Sequence, residues 1–310
     1  MKNLPIICPC KTKSTVSVSK EYLICDQTDC EHHNVHNSFP IVNNIPILIS
    51  ETRTDTLFTR NNQISYIKRP FRKFGLLRKI IYGESKVTKS NCGLFLSEVF
   101  KINSIPKVLI IGGGERGSGT DELWNNKNIQ THSIDVYASD NVDLICDSHY
   151  LPLENSYYDG VWIQAVLEHV VEPKVVVTEI HRVLKTGGII YSETPFMQQV
   201  HEGAYDFNRF TVLGHRYLFK QFELISLGGN QGPEVVFAWS TRYLFWSIFR
   251  SKKLAIIVGL IMGLFMRPLG SIISKKSMFD ACSGVFFLGK KTSNYKIKHI
   301  DLLELYGGQY

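Results

Sequence analysis

The sequence predicts an α/β protein. Its centre is a doubly wound, mostly parallel seven-stranded sheet, with a small β-rich module ahead of it and a hydrophobic helical insert near its end. Three observations lead there. From Val108 to Gly119 the chain reads VLIIGGGERGSG, four apolar residues running into glycines. A buried parallel strand ends this way where its backbone must pass close to a ligand. From Lys107 onward, short apolar runs alternate with helix-period segments, which places helices on both faces of a parallel sheet. Four cysteines crowd the N-terminal region, where too few apolar residues follow to build an independent core.

In order along the chain, residues 1–50 form the small module. Cys8 and Cys10 make one close pair and Cys25 and Cys30 a second, with Val16, Val18 and the Tyr22-Leu23-Ile24 run as strand material between them. FPIVNNIPILIS adds a β-rich tail that turns at Asn43-Asn44. Four thiolates at this spacing suit a structural zinc ion, the staple so small a unit needs. His32, His33 and His36 lie close enough in sequence to replace one thiolate. Residues 51–104 are a connector, and within it IKRPFRKFGLLRKII carries six cations and no acid, which suits an anionic surface. CGLFLSEVFKI closes the connector as a helix whose Leu94, Phe95, Val99, Phe100 and Ile102 are expected to pack on the sheet.

The main domain occupies residues 105–234 and 281–291, with strands expected at 107–111, 130–136, 142–146, 158–164, 187–194, 222–229 and 283–290. The last two are expected to pair antiparallel at one edge. The insert, residues 235–280, contains VVFAWSTRYLFWSIF and LAIIVGLIMGLFM, flanked by Arg250, Lys252, Lys253, Arg267, Lys275 and Lys276. The 13-residue run Leu254–Met266 would span about 20 Å as a helix, short of a bilayer core. An interfacial anchor is therefore expected, with a lid or dimer face as the alternatives. Residues 292–310 are a C-terminal tail.

Composition narrows the function classes. Lys+Arg 35 against Asp+Glu 28 leaves a net charge of +7, not gathered around the glycine strand, so a nucleic-acid substrate is disfavoured. MKNLPIICPC is too polar for a secretory signal, and seven cysteines is an odd number. Both set the expectation of a reducing, cytoplasmic setting, and the basic connector with the hydrophobic insert adds a peripheral place at the inner face of the membrane.

The site is expected at the carboxyl ends of the strands. Gly112, Gly114 and Gly117 admit the ligand, Asp135 ends the second strand where it can accept bonds from both hydroxyls of a ribose, Asp147 follows the third strand where it can accept from an adenine amino group, and Gln164 ends the fourth beside the cofactor's reactive end. The glycine spacing alone suits a nicotinamide dinucleotide equally well.

LPLENSYYDGVWIQAVLEHV and RVLKTGGIIYSETP, in this order behind the glycines, resemble the class I S-adenosylmethionine-dependent methyltransferases, in particular the type 11 family, over about residues 105–230. That resemblance implies a Rossmann-like fold, S-adenosyl-L-methionine as cofactor, and the roles just given to Asp135, Asp147 and Gln164. Ile7-Cys8-Pro9, Leu23-Ile24-Cys25 and FPI…IPIL resemble a zinc-ribbon-like family found as a methyltransferase activator and fused ahead of some bacterial methyltransferases. TPFMQQVHEGAYDFNRFT resembles a subgroup frequent among enzymes linked to surface polysaccharide and glycolipid. It implies O-methylation of a glycan or glycolipid acceptor; the alternatives are a small-molecule acceptor such as a quinone precursor or polyketide, with the insert as a lid, and a catalytically degenerate binding protein. In that loop His201 is the expected general base, Asp206 its orienter, and Arg209 a holder of an anionic acceptor group.

Overall fold

A computed structural model describes residues 3–10, 13–19, 21–34, 38–49, 56–58 and 85–309. The cationic run of the connector and His36 lie outside these residues. The main sheet has seven strands: β5 (Lys107–Ile111), β6 (Gln130–Asp135), β7 (Leu144–Ile145), β8 (Tyr158–Gln164), β9 (Leu184–Pro195), β10 (Phe222–Gly229) and β11 (Gly284–Lys291). Their order is β10-β11-β9-β8-β5-β6-β7. The strands β7, β6, β5, β8 and β9 run parallel, and β11 lies antiparallel between β9 and β10. This is a Rossmann-like arrangement with one reversed strand near its edge.

Alternating side chains divide the core between the two faces. Leu109, Ile111, Val161 and Ile163 face the helix α3 (Pro173–Val183), whose Val176, Ile180 and Val183 are fully buried. Each such side chain contributes about 1.5–3 kcal/mol relative to exposure. Val108, Ile110 and Trp162 face the opposite helix, α1 (Lys86–Ile102). Trp162 stacks on Tyr191 at 3.9 Å and meets the edge of Phe95 at 5.4 Å. α1 buries Cys92, Phe95, Leu96 and Val99, whereas Leu94 and Ile102 are exposed. The sequence expectation therefore took the wrong stripe at two positions. Cys92, Phe95, Leu96 and Val99 are the residues that follow the i, i+3, i+4, i+7 spacing of one face.

The N-terminal strands β1 (Val16–Ser19), β2 (Tyr22–Cys25), β3 (Phe39–Val42) and β4 (Ile45–Pro46) form their own antiparallel sheet. This module shares its core with the main domain. Cys8, Leu23, Cys25, Phe39 and Leu48 pack into the same cluster as Leu144, Leu151 and Leu153. Ile47 bridges to Ile145 beside β7, and the Leu48 amide donates to Ile145 O at 2.8 Å.

A short helix, α2 (Asp121–Asn125), follows the glycine turn, and α4 (Val212–Leu218) precedes β10. Between β10 and β11 the insert folds as a hairpin of α5 (Pro233–Phe249) and α6 (Lys252–Met266), followed by a 3-10 stretch Arg267–Ser271 and α7 (Lys275–Ala281). A last short helix, α8 (His299–Glu304), lies in the tail. Arg250, left-handed at φ 51°, ends α5, and Ser251 caps α6 by accepting from the Leu254 amide. On α6 the buried residues are small: Ala255, Gly259 and Gly263. Helices approach closely over such a stripe, which turns the large side chains outward. Phe265 is 70% exposed and Ile272 76%. The 13-residue length expected for this run is too short. Helical structure continues from Lys252 to Ser271, 20 residues, long and apolar enough by length and composition to cross a membrane.

Candidate active site

The glycine turn leaves β5 at its carboxyl end. Gly112 sits at φ +77°, a left-handed conformation, and a Cβ there would stand 2.1 Å from Val166 Cγ2. The position is closed to other residues by backbone and neighbour alike. Beyond it, Cβ atoms on Gly114 and Gly117 would come 2.7 Å from Asp135 Oδ2 and 2.1 Å from Gln164 Oε1. The turn therefore gathers the ends of β5, β6 and β8 into one cradle, and five of the six expected cofactor residues bound the same space. Asp135 Oδ2 accepts from the Gly114 amide at 2.8 Å, which holds the carboxylate at the end of β6. Gln164 reaches Ser118 O at 3.4 Å and Glu193 Oε1 at 3.3 Å.

Asp147 is placed differently from the others. It is buried, its Oδ1 accepts from the His149 amide at 2.9 Å and stands 2.6 Å from His149 Nδ1, and its Oδ2 accepts from Thr56 Oγ1 at 2.6 Å. Hydrogen bonds from His149 and Thr56 hold its pKa below the usual carboxylate value against the opposing effect of burial. Asp147 thus caps the 3-10 turn Ser148–Tyr150, and only its remaining lone pairs can serve a ligand.

Glu193 was not legible as a site residue. At the end of β9 it is almost fully buried and accepts from Thr88 Oγ1 at 2.8 Å and Tyr191 OH at 2.6 Å, and from Asn230 and Gln164. Burial raises its pKa. The signal was available: a glutamate, the one charged residue of the strand segment IIYSETP, needs donors around it when that strand is buried. The carboxylate joins α1, β8, β9 and the end of β10 at the wall of the cradle.

The acceptor-side loop, 196–211, follows β9. Asp206 Oδ2 accepts from the His201 amide at 3.0 Å and lies 3.3 Å from His201 Nδ1, so the expected pairing of these two residues is present. The expected role of Arg209 is corrected. Its guanidinium pairs with both carboxylate oxygens of Asp206, and its remaining donors go to the carbonyls of Gln198, Gln199 and Asn208. All five N–H groups are thereby engaged within the loop, and none is left for an anionic acceptor group. Arg209 is a positioning residue. Thr211 caps α4 by accepting from the Gly214 amide at 3.1 Å.

Glu168 lies beneath this loop, with its side chain fully buried. Its carbonyl accepts from the amides of Phe207 at 2.7 Å and Asn208 at 3.2 Å, which fastens the loop to the turn after β8. Burial pushes its carboxyl up to about 8. Burial, and then the proximity of His169, bring His201 down to about 4, so its imidazole is neutral at physiological pH.

The four N-terminal cysteines are brought together. All four Sγ atoms lie within 4.8 Å of one another, and Cys8 Sγ is 3.8 Å from Cys30 Sγ. That separation matches the edge of about 3.8 Å expected for a tetrahedron with Zn–S bonds near 2.3 Å. Burial raises the Cys8 thiol pKa and pushes Cys30 up to about 11. His33 Nδ1 instead donates to Cys25 O at 2.7 Å, and His32 packs against Phe39 at 4.5 Å.

S-adenosyl-L-methionine fits the cradle on this evidence. Side-chain-free backbone is found where a ligand must approach, and a carboxylate fixed at the end of β6 can accept hydroxyl hydrogens. When bound, this cofactor supplies a methyl group on a positively charged sulfur. Gly112, Gly114 and Gly117 would admit it, Asp135 would orient it, and Gln164 with Glu193 would wall off the space beside it.

Residues 119–192 match the family model described as a methyltransferase domain. No curated protein matches the chain significantly. Among solved structures, the Haemonchus contortus phosphoethanolamine N-methyltransferase 2 with S-adenosyl-L-methionine is 15% identical, with a TM-score of 0.45 over 73% of this chain and 59% of that one. A SAM-dependent methyltransferase from Archaeoglobus fulgidus is 14% identical, with a TM-score of 0.43 over 70% of this chain and 99% of that one. Geranyl diphosphate C-methyltransferase from Streptomyces coelicolor is 10% identical, with a TM-score of 0.43 over 66% and 76%. The matched segment begins just past Gly112, Gly114 and Gly117, ends within β9 and carries Asp135, Asp147 and Gln164; through it the chain contains a methyltransferase domain.

Proposed function

We propose that this methyltransferase modifies an oxygen of a glycan or lipid-linked glycan, working as a peripheral protein at the cytoplasmic face of a membrane. One observation carries the reading: the exposed apolar hairpin is tied to the acceptor-side loop. Gln199 Nε2 donates to Ser240 Oγ at 3.1 Å, and Tyr243 OH donates to Val200 O at 3.0 Å, so α5 braces the segment that carries His201. An acceptor presented at a lipid surface would meet the loop where the hairpin meets the lipid.

Charge placement favours a hairpin lying along the surface over one that crosses it. Arg250, Lys252 and Lys253 sit at the tip, and Arg267, Lys275 and Lys276 at the base. Carrying three cations through a bilayer core is costly, whereas both ends can contact anionic headgroups if the hairpin lies flat. In the same reading, Cys8, Cys10, Cys25 and Cys30 hold one structural zinc ion, supported by four Sγ atoms that all lie within 4.8 Å of one another.

Flotation with anionic vesicles at low salt tests the membrane part. The protein is expected to float and to be released by salt, and a protein that stays at the bottom of the gradient contradicts the reading. Turnover of lipid-linked sugars against free lipophilic phenols tests the acceptor. Preference for the phenols would make the hairpin a lid over a small lipophilic substrate.

A further inference from the structure

The polar cluster beneath the acceptor loop holds an atom that the description so far leaves unexplained. Glu168 Oε2 accepts from Thr194 Oγ1 at 3.1 Å, but Oε1 is buried and has no hydrogen-bond partner. A carboxylate oxygen in that state is expensive, because burial removes its water and nothing replaces it. Two imidazoles stand close to it, with Arg209 and Asp206 acting on the carboxyl through charge. His169 Nε2 stands 3.5 Å from Oε1 and His201 Nε2 3.8 Å, and the three atoms lie within 4.8 Å of one another.

Both rings are held by their other nitrogen. His169 Nδ1 lies 2.7 Å from Tyr205 O, a pure acceptor, so Nδ1 carries the proton and the Nε2 lone pair points toward Glu168. His201 Nδ1 faces Asp206 Oδ2 at 3.3 Å, which favours the same tautomer. An acceptor behind each imidazole is how histidine ligands are oriented at metal sites. Two lone pairs thus converge on a buried carboxylate oxygen that lacks a donor. A proton on Glu168 would relieve one contact. A cation would relieve all three.

We propose that Glu168, His169 and His201 bind one divalent first-row transition cation, of the Mn2+, Co2+ or Zn2+ kind, at the carboxyl ends of β8 and β9. Two imidazoles with one carboxylate suit these ions better than Mg2+ or Ca2+, which prefer all-oxygen sets. With metal–ligand bonds of about 2.0–2.2 Å, neighbouring ligand atoms stand roughly 3.0–3.4 Å apart. The observed 3.5 and 3.8 Å need a contraction of a few tenths of an ångström, which the His201 ring, its side chain 29% exposed, can supply. Three protein ligands leave open positions, as in catalytic rather than structural sites.

The cation site stands on its own geometry. Its use rests on the proposed function: an open position would take the acceptor's hydroxyl, hold it toward the methyl donor and lower its pKa, so that its proton passes to water as the oxygen–carbon bond forms and the sulfur–carbon bond breaks to leave a neutral thioether. His201 then serves as a ligand, and its Nε2 lone pair is no longer available for the general-base role expected from sequence.

The test counts metal in the full-length protein after equilibrium dialysis against Co2+, as total divalent metal per chain. Wild type is compared with His201→Ala, at a partly exposed position, and with Glu168→Gln, which keeps the shape of the buried side chain. Circular dichroism confirms that each is folded. Total metal is expected to fall by one ion per chain in both variants, while the sulfur–cobalt absorption of the cysteine site is unchanged. Equal totals in wild type and both variants overturn the proposal. Calorimetry with S-adenosyl-L-methionine on the same samples separates the two readings. Cofactor heat with equal metal totals sinks the cation site alone. A lost ion with no cofactor heat in wild type supports the cation site and sinks the methyltransferase reading alone.

Discussion

At the β7 edge of the sheet, the N-terminal module continues the protein: Ile47 and Ile49 are wholly buried against Val142 and Ile145. At the β10 edge, the hairpin that follows turns its bulk outward, with Ile248 62%, Phe265 70% and Ile272 76% exposed. Both additions are short apolar segments attached to the same domain. The first is closed by protein atoms and a cluster of thiols. The second closes on itself through small residues and presents large ones, which none of the described residues covers. Apolar content alone does not distinguish the two; which side chains are small does.

The largest expected effect lies in the cysteine module. Structural zinc in small units contributes on the order of 10 kcal/mol, so Cys25→Ser is expected to lose the metal and unfold β1–β4. Fast hydrogen exchange at the Leu48 amide, now bonded to Ile145 O, reports this. Unchanged metal content and exchange would remove the contrast between the edges. Next is packing. Ile47→Ala is expected to cost about 2–5 kcal/mol by denaturant unfolding, while Phe265→Ala stays within about 0.5 kcal/mol. Equal costs would show that the hairpin is packed after all.

Acid sharpens the contrast on the β10 side. His215 on α4 is fully buried beside Ser192 Oγ at 3.0 Å, and burial holds its pKa down to about 3. The unfolded chain takes up the proton near the ordinary 6.5, well before the folded one. The stability this residue contributes is therefore present above pH 6.5 and is lost as pH falls toward 3, by up to about 1.4 kcal/mol per pH unit. His215→Gln is expected to flatten that part of the stability curve. An identical acid limb in the variant would assign the loss elsewhere. The smallest effect on stability accompanies a specific effect on binding: Phe265→Ser with Ile272→Ser should leave unfolding within about 1 kcal/mol yet reduce vesicle flotation. Flotation equal to wild type would take the membrane away from the hairpin.

Much of the fold was legible because the strands obey simple periodicity. β5, β8 and β10 fall on their expected bounds, and the antiparallel β10–β11 pair lies at the edge where it was expected. The stripe of α1 was misread because Leu94 and Ile102 are apolar yet lie off the buried face. The length of α6 was underestimated because the flanking Lys252, Lys253 and Arg267 are helical although polar. In the site, the glycines with Asp135 and Gln164 were readable as strand-end residues. Arg209 was not, since only the folded loop shows its donors spent on Asp206 and carbonyls. Glu168 and Glu193 were hidden for the same reason: a buried carboxylate is identified by its surroundings, and those come from strands and loops distant in sequence.

The account depends most on the cradle formed by the glycine turn and Asp135. Isothermal titration of the wild-type chain and of Asp135→Ala with S-adenosyl-L-methionine measures it directly. Saturable heat from one site per wild-type chain, weakened at least about tenfold in the variant by loss of a charge-assisted hydrogen-bond acceptor worth about 1.5–3 kcal/mol, is the expected result. No heat from the wild type, or equal affinity in the two proteins, would contradict it.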